Sequence, residues 1–256
     1  MKKNTIVAGP VSRRALLHGL VVGAGFCLLP ATAFAAANKS TSSAIAFYGN
    51  ALIVARGSAL LYRDGGQNWT ALPEMSAGTI LTLATHLERP DRIIGGLDAG
   101  GVVLSVDGGK SWNVRGQGLP EAAVTAITTA ATTPDTIYAA IRGDGLWQSD
   151  DVGQSWTFVM DRPWLMDAER DLTALSSVDL ATGMGGIWLY AGTDIAVTRV
   201  PDCFCRWQDV EPGDAMDALA SGKPAPSKAP LPEGEPVNAL VSAASQPATL
   251  YAALPS

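Results

Sequence analysis

Cysteine, histidine and charge are all scarce in this 256-residue chain. Of its three cysteines, Cys27 lies near the start and only Cys203 and Cys205 stand further along, so a disulfide framework does not carry the fold. The histidines are His18 and His86. Without a second histidine beside a serine or cysteine in a recognisable context, a nucleophilic triad has no support. Phosphate-loop, haem-attachment and zinc-quartet patterns are missing too, and no cofactor is expected. Charged residues make up 16% of the chain, with a net charge of -6, which argues against nucleic acid or anionic lipid as partner. Past the first 35 residues no apolar run is long enough to cross a bilayer, so no stable membrane insertion is expected there.

The beginning of the chain is of a different kind. Residues 1–35 have a basic start, the pair Arg13-Arg14, an apolar stretch and the small-residue exit Ala33-Phe34-Ala35, the layout of an export signal. Ser12-Arg13-Arg14-Ala15-Leu16-Leu17 resembles the bacterial twin-arginine signal, which carries folded proteins across the inner membrane. The alternative is an ordinary secretory signal that holds two arginines. Either route leads to the periplasm or the exterior. Removing Lys2, Lys3, Arg13 and Arg14 with the signal takes the net charge to -10. Residues 36–43 read as a short linker.

What remains is 44–256, in which apolar runs are short and glycine and proline frequent, the signature of strands and turns. One pattern returns. "YRDGGQNW" holds Asp64, Gly66 and Trp69; "SVDGGKSW" holds Asp107, Gly109 and Trp112; "SDDVGQSW" holds Asp151, Gly153 and Trp156. The tryptophans stand 43 and 44 residues apart, a period that marks a repeat architecture. A short apolar run, a turn and a second apolar run precede each box. "IWLYAGTDIAVTRVPDCFCRW" fits the same frame, with Asp202 and Trp207 at box spacing but Phe204 where glycine belongs. "PATLYAALPS" repeats the opening of "PDTIYAAIRG".

These boxes resemble the Asp-box, or BNR, repeat, Ser/Thr-x-Asp-x-Gly-x-x-Trp. Sialidases, sortilin-type receptors, some glycoside hydrolases and the photosystem II assembly and stability factors carry it, and the last group is the most similar in repeat type. Departures are Tyr62 at the Ser/Thr position, the degenerate fourth box and the lack of a fifth. The resemblance implies an all-β propeller of four-stranded antiparallel blades, each box in the turn between third and fourth strands. In that turn an aspartate accepts backbone N–H groups, glycine takes a positive φ and tryptophan packs between sheets. About four and a half repeats are visible. The ring then has about five blades with one incomplete, or the sequence lacks its last part; the second is the expectation here, because an unfinished blade leaves unpaired edges.

Two connections are long. Residues 160–172 follow the third box, and 210–236, rich in proline and alanine, follow the fourth and are expected to be a mobile loop. Both should leave the face opposite the boxes. Trp164 and Met166, with Arg162, Asp167, Glu169 and Arg170, are the candidate contacts for a protein partner; the bland reading is that Trp164 closes over a blade edge.

The resemblance also raises glycoside hydrolysis, which needs paired carboxylates or, in sialidases, a tyrosine nucleophile. The sialidase family's Arg-Ile-Pro motif is missing, Tyr138, Tyr190 and Tyr251 occupy equivalent strand positions as core residues do, and the box aspartates are committed to turns. The expected function is a non-catalytic, exported propeller that binds a protein and helps a periplasmic or membrane-associated complex assemble or remain stable. A sugar-active hydrolase is the alternative. Cys203 and Cys205 are a third element: in a strand their α-carbons stand about 6.6 Å apart, near the limit of disulfide reach. A local disulfide, two structural thiols and a thiolate pair for a soft metal such as Cu(I) all remain open. Sequencing the amino terminus of the exported protein should read from Ala36; an uncleaved start would remove the signal assignment.

Overall fold

The computed structural model describes residues 42–66, 68–182, 186–210, 222 and 234–255. The signal assigned to 1–35, most of the linker and most of the 210–236 connection lie outside them. Among the described residues all regular structure is β. The first blade is β1 (Ala44–Tyr48), β2 (Ala51–Arg56), β3 (Ala59–Arg63) and β4 (Thr70–Ala71). The second is β5 (Ile80–His86), β6 (Arg89–Leu97), β7 (Val102–Ser105) and β8 (Asn113–Arg115). The third is β9 (Val124–Thr129), β10 (Ile137–Ile141), β11 (Gly145–Ser149) and β12 (Thr157–Asp161). A small hairpin, β13 (Trp164–Leu165) and β14 (Ala168–Glu169), precedes the fourth blade. That blade is β15 (Ala174–Val178), β16 (Trp188–Gly192), β17 (Val197–Pro201) and β18 (Gln208–Asp209). Each blade is a four-stranded antiparallel meander, and together they form a four-bladed β-propeller. A two-stranded sheet, β19 (Ala239–Ala243) with β20 (Gln246–Ala253), follows it, the half repeat seen in the sequence.

The strands read as nearly continuous apolar runs because each inner sheet is covered on both faces. In β10, Ile137, Ala139 and Ile141 face Ile94, Val102 and Leu104 of the second blade. Tyr138 and Ala140, on the opposite side by strand alternation, face Leu175, Leu189 and Val200 of the fourth. A similar seam joins Ile53, Ala55 and Leu60 of the first blade to Ile80, Ile93 and Val103 of the second. Another joins Ala174 and Val197 to Val237 and Leu240.

Inner strands of adjacent blades are neighbours without sharing a ladder, so hydroxyls bridge them. Thr125 donates to the Leu172 carbonyl at 2.6 Å, and Thr173 does the same to Val237 at 2.6 Å. Arg92, buried on β6, reaches the third blade through Pro134 O at 2.7 Å and Asp135 Oδ1 at 2.9 Å.

The equivalent tyrosines show what a neighbour does. Tyr138 is 3% exposed inside its seam, Tyr190 packs against the next one, and Tyr251 on β20 is 44% exposed. At the other end, Ala44, Ala46 and Tyr48 of β1 pack toward the second blade while Ile45 and Phe47 are exposed. Among the described residues, then, these two outer faces are not covered as the inner ones are.

Close approach at a seam requires a small residue on the second strand. A Cβ on Gly96 would stand 2.6 Å from Val124 Cγ1, and one on Gly192 would stand 2.6 Å from Val237 Cγ1. Ala140 fills the corresponding position in the third blade, set by its place two after Tyr138. Gly96→Val or Gly192→Val should lower stability by about 1–3 kcal/mol through overpacking. Urea unfolding measures it, and wild-type midpoints for both variants would refute the seam assignment.

Candidate functional site

The second and third boxes are closed hydrogen-bond networks within single turns. Ser105 Oγ donates to Asp107 Oδ1 at 2.8 Å and accepts Gly109 N–H at 2.7 Å. Asp107 Oδ1 also accepts Lys110 N–H and Ser111 N–H at 3.0 and 2.9 Å, while Oδ2 accepts the Ser111 hydroxyl at 2.6 Å. Ser149, Asp151, Gly153 and Ser155 repeat the arrangement: the Ser149 hydroxyl donates to Asp151 Oδ1 at 2.8 Å and accepts Gly153 N–H at 2.7 Å. Ser155 N–H and its hydroxyl reach the two Asp151 oxygens at 2.8 and 2.6 Å. Gly109 and Gly153 have φ of 85° and 80°, where a side chain is strained.

Each indole then seals its blade against the preceding one. Trp112 packs into the seam of blades one and two, with Nε1–H on Gly109 O at 3.2 Å. Trp156 is buried between blades two and three, with Nε1–H on Gly153 O at 3.1 Å. Trp207 packs between blades three and four and donates to Asp161 O at 2.6 Å.

The first box differs from these. Tyr62 holds the position of Ser105 but faces the second blade with Leu60, whereas Val103, and Ser105 two residues on, face the first. Strand β3 is thus slipped by one residue against its box, which turns every side chain to the other face. Tyr62 packs edge-on to Tyr48 at 6.4 Å, Asp64 Oδ1 receives Gly66 N–H at a long 3.4 Å, and Trp69 stays exposed under the Arg63 guanidinium, 4.8 Å from the ring. The expectation that all boxes share one geometry is corrected at this position.

The carboxylates of the second and third boxes are poor proton donors. The hydroxyl and N–H of Ser111 hold Asp107 at a pKa of about 2, and those of Ser155 hold Asp151 at about 2. Asp151 borders an open depression of about 280 Å³ with Gln148, Asp150, Ser155, Thr157 and Val159. Asp150 there accepts the Thr136 hydroxyl at 2.9 Å and the Gln148 amide at 2.8 Å. Two adjacent acids are present, both already engaged. His86 accepts Glu88 N–H at Nδ1, 3.1 Å, and its Nε2 lies 3.4 Å from Ala131 O, a bridge between blades.

The opposite end of the third blade carries the β13–β14 hairpin, which was expected only as a long connection. Its two central residues, Met166 and Asp167, both have positive φ, 48° and 61°, the form of a type I′ turn. Trp164 and Met166 are 68% and 74% exposed. Three of the charged candidates are engaged in ion pairs within the fold. Arg162 pairs with Glu169 and with Asp171 at 3.2 Å, and Asp171 also accepts Gly143 N–H at 2.9 Å. Arg170 pairs with Asp194 at 3.0 Å and donates to Leu165 O at 3.3 Å. Arg162, Glu169 and Arg170 therefore brace the hairpin, and Trp164 and Met166 face solvent. The bracing partners Asp171, Asp194 and Gly143 lie on neighbouring turns and had no local signal in the sequence.

Cys203 and Cys205 are joined as a disulfide, with α-carbons 5.5 Å apart because Phe204 between them turns at φ 50°. No group of three or more His, Cys, Asp or Glu able to hold a metal occurs among the described residues.

No protein-family model matches the chain, and no curated protein matches it in sequence. Solved structures with the same fold do. The GH74 xyloglucanase Xcc1752 of Xanthomonas campestris is 18% identical with a TM-score of 0.51, covering 83% of this chain and 35% of its own. The extracellular domain of BT4673 from B. thetaiotaomicron is 13% identical with a TM-score of 0.52, covering 81% and 24%. A chain of the COPII outer coat vertex is 10% identical with a TM-score of 0.59, covering 85% and 57%. The chain thus spans about a third or less of the first two. Enzymes and non-enzymatic propellers both appear, and the likeness is one of fold.

Two measurements follow from the boxes. Gly153→Ala should cost about 1–2 kcal/mol because alanine must adopt the left-handed region. Gly66→Ala, with no positive φ and its nearest neighbour 3.4 Å away, should stay within about 0.5 kcal/mol of wild type. Because the folded pKa values of Asp107 and Asp151 lie below the ordinary 3.8, their stabilisation is full above that pH and fades as pH falls toward 2. Asp107→Asn with Asp151→Asn should flatten that acid slope in thermal melts; an unchanged slope would place the acid sensitivity elsewhere.

Proposed function

We propose that this chain is an exported, non-catalytic Asp-box propeller that binds a protein partner through the face opposite its boxes. Its work is to help a periplasmic or membrane-associated complex assemble or stay together. The observation that carries the reading is the braced hairpin: two ion pairs on Arg162 and one on Arg170 hold a turn that presents Trp164 and Met166 to solvent. A large aromatic held rigid loses little conformational freedom on docking, which is why such residues dominate binding energy. The repeat boxes support membership of the Asp-box group, and the basic, apolar start with its small-residue exit supports export.

A retaining or inverting glycosidase needs one carboxyl group protonated near neutral pH. Asp107 and Asp151 are held ionised by their own turns, and Asp151 is the one of the two that borders the polar depression, so neither favours that chemistry.

Affinity capture from a periplasmic extract should retain a partner on the wild-type protein and lose it on Trp164→Ala/Met166→Ala, with affinity reduced by about 30-fold, as for a hot-spot anchor. The melting temperature should not change, since both side chains are exposed. An equal set of partners on both proteins would overturn the hairpin assignment, and partners lost only on deleting 211–233 would move the site to that connection. Turnover of a chromogenic glycoside would favour the hydrolase.

A further inference from the structure

We infer that Cys203–Cys205 is a thiol-exchange site, and that it makes the fourth box a turn whose lock opens to a dithiol reductant. The argument begins from box positions. Counting back from Trp207 as from Trp156, Val200 stands where Ser149 does, Asp202 where Asp151 does, Phe204 where Gly153 does and Arg206 where Ser155 does. The two serines that lock Asp151 through their hydroxyls are thus replaced by valine and arginine.

The turn nevertheless keeps its form. Gly153 has φ of 80° and Phe204 has φ of 50°, and Trp207 enters the seam with the preceding blade as Trp156 does. Phe204 N–H reaches Pro201 O at 2.8 Å, and its ring meets Tyr138 edge-on at 5.9 Å. The disulfide bridges Phe204 where the other boxes use a carboxylate and two hydroxyls.

This covalent lock is weak by construction. The loop it closes has one intervening residue, so it restricts the unfolded chain little. A phenylalanine in the left-handed region opposes it. Both cysteines are exposed, so a thiolate can reach either sulfur. Exposed, conformationally opposed disulfides are the exchangeable ones.

The step balances with an external dithiol. One of its thiolates attacks a cysteine Sγ, the S–S bond breaks, and the other cysteine leaves as a thiolate. The second external thiolate then resolves the mixed disulfide. Two electrons and two protons pass to the protein, which gains two thiols, and the dithiol becomes a disulfide. Phe204 is then free to leave its left-handed conformation and its contact with Tyr138.

The test titrates the native, oxidised protein with mixtures of reduced and oxidised dithiothreitol. The state of the pair is read from the mass added by an alkylating agent at Cys203 and Cys205, with circular dichroism recorded on the same samples. Both cysteines should become alkylated while the β signal persists, and should re-form the disulfide when reductant is removed. Phe204→Ala and Phe204→Gly both lose the Tyr138 contact that the oxidised form makes, and only glycine relieves its opposed φ, so the glycine variant should lie a few-fold further toward the disulfide than the alanine variant. Alkylation that appears only as the β signal is lost would overturn the proposal. So would a Phe204→Gly equilibrium equal to that of Phe204→Ala or further toward the dithiol.

Discussion

A blade of this protein is apolar on both faces, and one small sheet cannot bury two faces by itself. That requirement organises the remainder. It explains why β10 alternates its side chains between two different neighbours, and why glycine or alanine recurs at one position of the second strand. It also explains why the inner strands exchange hydroxyl-to-carbonyl bonds across a gap no ladder spans. Burial supplies the driving force, at roughly 25 cal/mol per Å² of apolar surface, and the polar contacts fix where each sheet sits.

The boxes act at the other end of the same problem. A fourth strand can cover its sheet's edge only if the chain reverses tightly after the third. Carboxylate, hydroxyl and left-handed glycine achieve that within five residues, and the indole anchors the reversed chain in the preceding seam. The aspartates are spent on this task. The β13–β14 hairpin, the surface proposed above for recognition, lies at the opposite end of the third blade from this turn.

The sequence made the blades legible because the box is local chemistry: Asp107, Gly109 and Trp112 interact within one turn, so their spacing is the structure. The slip in the first blade was not legible, since which face Leu60 and Tyr62 present depends on packing with Ile80 and Ile93, far along the chain. The hairpin at Trp164 was hidden for a different reason. Met166-Asp167 lacks the glycine or asparagine that announces a left-handed pair, and the ion pairs that sustain it come from Asp171 and Asp194. Trp164 and Met166 themselves were readable as unusual, while the bracing role of Arg162 and Arg170 needed three dimensions. For the cysteines, the spacing left several states open, and the positive φ of Phe204 is what brings the sulfurs together.

The uncovered side of Tyr251 carries one more consequence. In an array held only by nearest neighbours, each unit's stability is its own plus that of the interfaces it shares. The third blade shares two; the first blade and the β19–β20 ribbon, among the described residues, share one each. Unfolding of such an array need not be all-or-none: opening starts at the two singly held ends and moves inward, so amide exchange would grade along the chain and be slowest near Ile137 and Leu189.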